Sequence, residues 1–329
     1  MESHTLRTVP YEVLAEFCPP RITAVRRLSG GQVNSTFLVT DSNADRYIVQ
    51  QMGQAVDPNT VHDYAVVAEH LRTKGWDMAQ PLRTSDDQLV VPDQAGKPWR
   101  GYTFIDSDPV PPAASHPRYV EFASLLGRLS ADLSSLDYTP IGSIPHFHDT
   151  AHFVSRLADV APHMPPAEQE FASQLKECVG QEPPIDGIES MIHGDPKLNN
   201  ALYRNGSPFT LIDWDTMMLG SPMLDLADML RSMSGTLRES LTNFSARSLL
   251  NIIQSYRAAA GVETDENSFY EQAISTTRTM CLTLAARYLI DSVEGTYFQW
   301  NPDRFASLAE QNRSQAMRQW RNYQALLQE

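Results

Sequence analysis

Apolar side chains fall into two textures along this chain. Up to about residue 106 they form short runs bounded by turn residues; beyond it they recur every three or four positions. In the first texture, residues 21–28, 35–40 and 46–52 are short and rich in β-branched or aromatic side chains. Gly30-Gly31 and the polar run Asp41-Ser42-Asn43-Ala44-Asp45 separate them, which predicts a three-stranded antiparallel meander. From Asn59 the period turns helical, with Val61, Ala65, Val67, Ala68 and Leu71 on one side until Lys74-Gly75 ends it. Two more strands are expected at 88–91 and 99–105.

Pro109, Pro111, Pro112 and Pro117, with Pro98 just before them, mark the best boundary, because proline removes ladder donors and breaks helices. Helical periodicity dominates afterwards, over 119–136, 153–160, 168–179, 224–234, 240–260, 268–294 and 303–327. One β interruption sits among these helices. Met191-Ile192 leads into a polar loop, and strands at 201–203 and 210–213 flank Asn205-Gly206, a hairpin signal. The order predicts an α+β chain, with a small β-rich N-lobe over 1–106 and a larger, mainly helical C-lobe over 107–329. The polar loops at 193–200 and 213–216 are expected to face a cleft between lobes, where ligands usually sit.

Composition narrows the partners. Hydrophobic residues make up 42%, enough for a sizeable core. A net charge of −14 argues against a basic nucleic-acid surface, though it selects neither a neutral nor a cationic small molecule. Cys18, Cys178 and Cys281 are far apart and odd in number, so free thiols in a reducing compartment are expected. Glu2 and His4 stand where a signal peptide wants a basic, then apolar, start. The longest near-apolar run, 280–286, is far short of the roughly 18 residues needed to span a bilayer. The expectation is a cytoplasmic protein without membrane or nucleic-acid partners; the oligomeric state is not legible.

The chemistry concentrates in His193-Gly194-Asp195-Pro196-Lys197-Leu198-Asn199-Asn200 and in Leu211-Ile212-Asp213-Trp214-Asp215. Phosphoryl transfer from ATP needs a carboxylate to orient the acceptor hydroxyl and take its proton. It also needs oxygen ligands for Mg²⁺ and a cation for the transferring group. Asp195 and Asn200 stand five apart, as in the kinase catalytic-loop pattern, and Lys197 lies between them. Asp213 is expected to end a strand thirteen residues beyond Asn200, where a second Mg²⁺ ligand belongs. Alone, an Asp and Asn at this spacing are weak evidence; the compound pattern is strong. The competing account is a polar loop whose carboxylates cap turns and helices. It applies most to Asp215, which would cap a helix starting near Leu224. His193 is expected to hold the loop's shape rather than carry protons.

These motifs resemble those of the aminoglycoside phosphotransferase and choline kinase superfamily, which shares the protein-kinase fold. Within it, the N-acetylhexosamine 1-kinases are the more similar group, in several separated stretches. Those stretches are Gln32-Val33-Asn34-Ser35-Thr36-Phe37-Leu38-Val39, Tyr47-Ile48-Val49-Gln50-Gln51-Met52, Ile144-Pro145-His146-Phe147-His148-Asp149-Thr150, and Arg287-Tyr288-Leu289-Ile290-Asp291 to Glu294-Gly295. The resemblance implies a bilobal protein-kinase-like fold and the reaction of ATP with a free sugar to give a sugar 1-phosphate. Asp195 and Lys197 would be catalytic, and Asn200 and Asp213 would bind Mg²⁺. His148, Asp149, Arg287 and Asp291 would face the acceptor.

The N-lobe departs from a protein kinase. Its third strand reads Ile48-Val49-Gln50-Gln51, without the lysine that grips the α- and β-phosphates. The resembling kinases also carry glutamine at the position of Gln50 but follow it with a basic residue, so the phosphate grip here is expected to be weaker or differently built. Gly30, Gly31 and Asn34 could bring backbone donors to phosphates, although the G-x-G-x-x-G spacing is missing and a plain hairpin turn is an equal reading. Thr103, Phe104 and Ile105 would form the adenine hinge through backbone groups. His146, His148 and His152 have metal-compatible spacing but nothing completing a zinc site. Buried among apolar neighbours, Arg287 needs a partner, either a structural carboxylate or substrate hydroxyls. Trp300, Trp320, Met217, Met218 and Met223 read as core. Rival functions are phosphotransfer to another small alcohol, such as choline or an aminoglycoside, and a nucleotide-binding pseudokinase. A protein kinase fits less well, because Trp214-Asp215 replaces Phe-Gly after Asp213.

Overall fold

The computed structural model describes residues 9–18, 21–28, 33–109, 116–185, 189–233 and 245–328. The chain divides into two compact units, Met1–Asp106 with Pro140–Ile144, and Ser107–Thr139 with Pro145–Glu329.

In the first unit, β1 (Ile22–Arg27), β2 (Ser35–Asp41), β3 (Arg46–Gln51), β4 (Val90–Pro92) and β5 (Pro98–Thr103) form one antiparallel sheet in the order β1-β2-β3-β5-β4. Alternation along β2 buries Phe37, Val39 and Asp41 and turns the intervening residues outward, the period-2 pattern of a one-sided strand. Phe37, Val39, Val49 and Trp99 pack with Val13 and Phe17 of α1 (Tyr11–Phe17). The pattern reading has no counterpart to this helix: seven residues are too few to show a period. Helix α2 (Thr60–Thr73) buries Val61, Tyr64, Val67, Ala68 and Leu71. Its fully buried Asp63 accepts the N–H groups of Ile141 at 2.9 Å and Gly142 at 2.7 Å, which ties 140–144 to this unit. A Cβ on Gly142 would lie 2.4 Å from the Thr60 nitrogen, so the approach requires glycine.

The second unit is mainly helical: α3 (His116–Leu133), α4 (Thr150–Val160), α5 (Pro166–Gln181), α6 (Pro222–Ser232), α7 (Ala246–Ala260), α8 (Glu266–Glu294) and α9 (Leu308–Leu326). Pro117 lies in the first turn of α3, where a missing N–H costs nothing. Helix α8 is buried on nearly every side, from Phe269 to Asp291, and α4, α5 and α9 pack around it. The expected hairpin forms as β7 (Ala201–Arg204) and β8 (Ser207–Leu211) with Asn205 and Gly206 both at positive φ, as a two-residue turn of this type demands. Strand β8 stops at Leu211, so Asp213 lies two residues past its end and not on it. A strand absent from the sequence reading, β9 (Met218–Gly220), pairs with β6 (Ser190–Ile192). Met217 and Met223 are core, whereas Trp300 is 48% exposed, its ring N–H donated to the Phe305 carbonyl. All three cysteines are free thiols, and no helix among the described residues is long and apolar enough to cross a membrane.

Candidate active site

The β6–β9 pairing sets Ile192 opposite Met218, so the segments that follow and precede these strands run side by side. Buried His193 is the hinge of the arrangement. Its Nε2–H donates to the Ile212 carbonyl at 3.1 Å, while its Nδ1 accepts the Asp195 N–H at 3.3 Å. Only the neutral tautomer protonated on Nε2 satisfies both bonds. Burial pushes this imidazole down to about 4, so it stays neutral at physiological pH. Its ring lies 4.6 Å from that of Trp214. Gly194 adopts φ +86°, and a Cβ there would sit 2.2 Å from the Thr216 carbonyl oxygen. The Thr216 hydroxyl in turn donates to the His193 carbonyl at 2.9 Å.

Asp225, in the first turn of α6, accepts the N–H groups of His193 at 2.9 Å and Gly194 at 2.8 Å. Complete burial pushes its carboxyl up to about 7, against the pull of these two bonds. Asp195 therefore projects from a loop pinned on three sides. Lys197 Nζ lies 2.5 Å from Asp195 Oδ2, and the Arg231 guanidinium 3.7 Å from Oδ1. Burial drives the Asp195 carboxyl up, yet Lys197, then Arg231, outweigh it and hold it below the ordinary carboxylate range. Arg231 is anchored by Asp228 at 2.5 Å. Asn200 donates its Nδ2 to the Asp195 carbonyl at 2.9 Å, which leaves its Oδ1 as the amide's other polar atom. Asp213 sits exposed at φ +70°, ψ +58°, opening the single helical turn Trp214–Thr216. Asp215 is buried in that turn; Ser221, not Asp215, caps α6.

His148 donates to the Gly194 carbonyl at 2.7 Å, which brings the 146–150 segment onto the same loop. Burial first, with Arg287 and Arg231 adding to it, pushes its imidazole down to about 4. Asp149 caps α4, accepting the His152 N–H at 2.9 Å and the His146 ring at 2.9 Å. Among the described residues, the structural carboxylate expected as one partner of Arg287 is not in place. The guanidinium donates to the Phe147 carbonyl at 3.2 Å and lies within 4.8–5.0 Å of the rings of Phe147, Phe153 and Tyr297. Asp291 is buried and accepts four hydrogen bonds, from the N–H groups of Thr296, Tyr297 and Phe298 and from Asn312 Nδ2. Its lone pairs are spent on the loop that ends α8, the physical reason it offers little to an acceptor.

In the first unit, Gln50 faces Arg100 across the β3–β5 register. Gln50 Oε1 accepts from Arg100 Nε at 2.9 Å, and Gln50 Nε2 donates to the Thr36 hydroxyl at 3.0 Å. Asn34 Oδ1 accepts the Gly53 N–H at 2.9 Å. Thr103 and Phe104 spend their N–H groups on the Gln80 and Arg46 carbonyls, leaving the Ile105 N–H as the one of the three without an acceptor among the described residues. Gly30 and Gly31 lie outside the described residues.

Residues 24–261 match the model of the phosphotransferase enzyme family. The chain belongs to that family. A chicken protein, acyl-CoA dehydrogenase family member 11 of Gallus gallus, is 27% identical over 219 residues, 64% of this chain and 28% of the other. The chain thus spans less than a third of that relative's length. Two solved structures share the fold. An aminoglycoside phosphotransferase from Alicyclobacillus acidocaldarius superposes with a TM-score of 0.57 at 14% identity, covering 97% of this chain and 96% of the other. An amicoumacin kinase in complex with AMP-PNP and Ca²⁺ gives 0.61 at 15% identity, covering 93% and 91%. The α+β, kinase-like architecture read from the sequence is the observed one.

The phosphotransferase's donor set suits a hard divalent cation. Among the described residues no three His, Cys, Asp or Glu side chains converge as a metal cage. Asn200 and Asp213 instead supply an amide oxygen and a carboxylate, and Mg²⁺ characteristically uses one or two such protein ligands with phosphate oxygens and water. His146 and His152 stack on each other at 3.8 Å rather than converging on His148's bond to Gly194. Sequence reasoning missed Asp225, Arg231 and Arg100. Each acts across a long sequence interval, and only Asp225 carried a hint, as an acidic residue in the first turn of a predicted helix.

Proposed function

We propose that this phosphotransferase moves the γ-phosphoryl group of ATP to a hydroxyl of a small molecule, and that the acceptor is the anomeric hydroxyl of an N-acetylhexosamine or related sugar. The observation that carries the reading is Asp195: an anionic carboxylate on a loop whose shape is fixed by His193, Asp225 and Thr216. Asp195 orients the acceptor hydroxyl and receives its proton, and Lys197 faces the transferring phosphoryl group. Asn200 and Asp213 hold Mg²⁺, which when bound neutralises charge on the phosphates. On the nucleotide side, Ile105 offers a backbone donor to adenine, and Gln50 with Arg100 takes the place of the strand lysine. Fixed positioning of such groups accounts for most of the catalysis in phosphoryl transfer.

The Asp195→Asn variant should fold normally, bind nucleotide and lose about 10³-fold in acceptor-dependent ADP release. Unchanged turnover overturns the mechanism. An acceptor with its anomeric hydroxyl blocked should be inert; turnover of such a compound moves the reading to another alcohol. Nucleotide binding with no transfer to any acceptor is the pseudokinase outcome.

A further inference from the structure

Arg287 stands on the enclosed helix α8 and keeps only 9% of its surface exposed. Its guanidinium lies 4.8 Å from the ring centroid of Phe147 and 5.0 Å from those of Phe153 and Tyr297. It donates one hydrogen bond, to the Phe147 carbonyl at 3.2 Å, out of the five N–H donors its planar fork carries. The rings and the carbonyl orient the group and offset part of its desolvation, about 0.5–2 kcal/mol for a cation–π contact. They supply no counter-charge, and a buried charge left without one costs several kcal/mol.

The neighbouring acids are engaged elsewhere. Asp291, four residues further along α8 where an ion pair can form across one turn, spends its carboxylate on three N–H groups and on Asn312. Glu294 pairs with Arg156, and Asp149 caps α4 and holds His146. Asp195 and Asp228 are matched by Lys197 and Arg231. Among the described residues no carboxylate lies within ion-pair distance of Arg287.

The cage borders the surface and adjoins the reacting loop. Phe147, His148, Phe153 and Tyr297 are each half-buried rather than sealed in the core. His148, next to the carbonyl that Arg287 holds, donates to the carbonyl of Gly194, the residue before Asp195, at 2.7 Å. Arg287, Arg231 and Asp195 all act on the His148 imidazole, which places the three around one ring. The Asp195 side chain is itself 18% exposed.

We propose that Arg287 sets acceptor specificity by binding a carboxylate on the acceptor, so that the preferred substrate is a sugar acid. The proposal rests on the reading of Asp195 as the group that orients the acceptor hydroxyl, and it narrows the acceptor to the acidic members of the sugars. A carboxylate matches the guanidinium fork with two parallel hydrogen bonds and returns one negative charge for one positive charge. A phosphate monoester would bring a charge of about −2 and leave part of it unmatched. A hydroxyl or a neutral amide would bring none.

The test is ADP release by the protein with ATP and Mg²⁺ over glucuronate and galacturonate. These are set against glucose, galactose and N-acetylglucosamine, the uncharged isostere glucuronamide, and glucose 6-phosphate. At least one uronate should be turned over in an Asp195-dependent way, with kcat/KM about tenfold or more above the neutral compounds and the phosphate ester. Arg287→Met should raise the uronate KM about tenfold and bring glucuronate close to glucuronamide. Arg287→Lys, which keeps the charge but loses the fork, should fall between parent and Arg287→Met, and it serves where the methionine variant fails to fold. A neutral sugar or the phosphate ester turned over as well as the uronates overturns the proposal, as does a panel in which no uronate reacts. So do Arg287 variants that change thermal stability but keep the parent's ratio of glucuronate to glucuronamide, the result if Arg287 only braces the Phe147 carbonyl. The phosphotransfer reading fails separately, if Asp195→Asn releases ADP at the parent rate.

Discussion

The Asp195 loop and the β3–β5 patch place charge in opposite ways. Around Asp195, position comes from the backbone: Asp225 holds two successive N–H groups, His193 bridges two segments, and Gly194 leaves no room for a side chain. At Gln50, position comes from sheet register alone, which sets one polar side chain beside one guanidinium on a neighbouring strand. The first device ties the chemistry to the stability of the fold. The second sets a buried cation, Arg100, beside a strand that carries no lysine.

That contrast can be broken by substitution. Gly194→Ala should have the largest effect, because both φ +86° and a 2.2 Å approach oppose it; about 3–5 kcal/mol of stability and most activity should be lost together, read from urea unfolding and ADP release. Asp225→Ala leaves two buried N–H groups unpaired and should cost about 3 kcal/mol, again with activity. Arg100→Met should behave differently, raising the ATP KM about tenfold while the acceptor KM holds, and Gln50→Ala should do the same only a few-fold. If Arg100→Met instead abolished activity through unfolding, the distinction between the two regions would collapse.

The smallest effect is a pH dependence. The unfolded His148 imidazole takes its proton near pH 6.5, the folded one only near 4. Between these values the unfolded chain binds more protons, so the His148 contribution is complete above pH 6.5 and fades as pH falls toward 4. It should amount to about 1–2 kcal/mol. His148→Gln keeps a side-chain donor for the Gly194 carbonyl and removes the titration, so its urea midpoint should fall less than the parent's between pH 7 and 5.

The sequence displayed what is local. The Asn205-Gly206 turn, the helical periods and the spacing of Asp195, Lys197 and Asn200 each lie within a few residues, so the physics that sets them is visible in one window. It hid what depends on a partner far along the chain. Asp225 reads as an ordinary first-turn acid until its two N–H donors, 31 and 32 residues earlier, are in place. Arg100 reads as a strand residue until register puts Gln50 beside it. Helix α1 and strand β9 were too short to carry a period, and Asp291 looked like a ligand because nothing local announces the loop it holds.

The return of residues 140–144 to the first unit has a consequence for taking the molecule apart. The chain passes between the units three times, after 106, 139 and 144, so cutting at the first passage does not release a self-sufficient piece. A fragment ending at 106 would forfeit both N–H groups that Asp63 on α2 accepts, a loss of about 1–3 kcal/mol. Transplanting this sheet onto another scaffold, or exchanging it with a relative's, would succeed only if the five-residue clasp travelled with it.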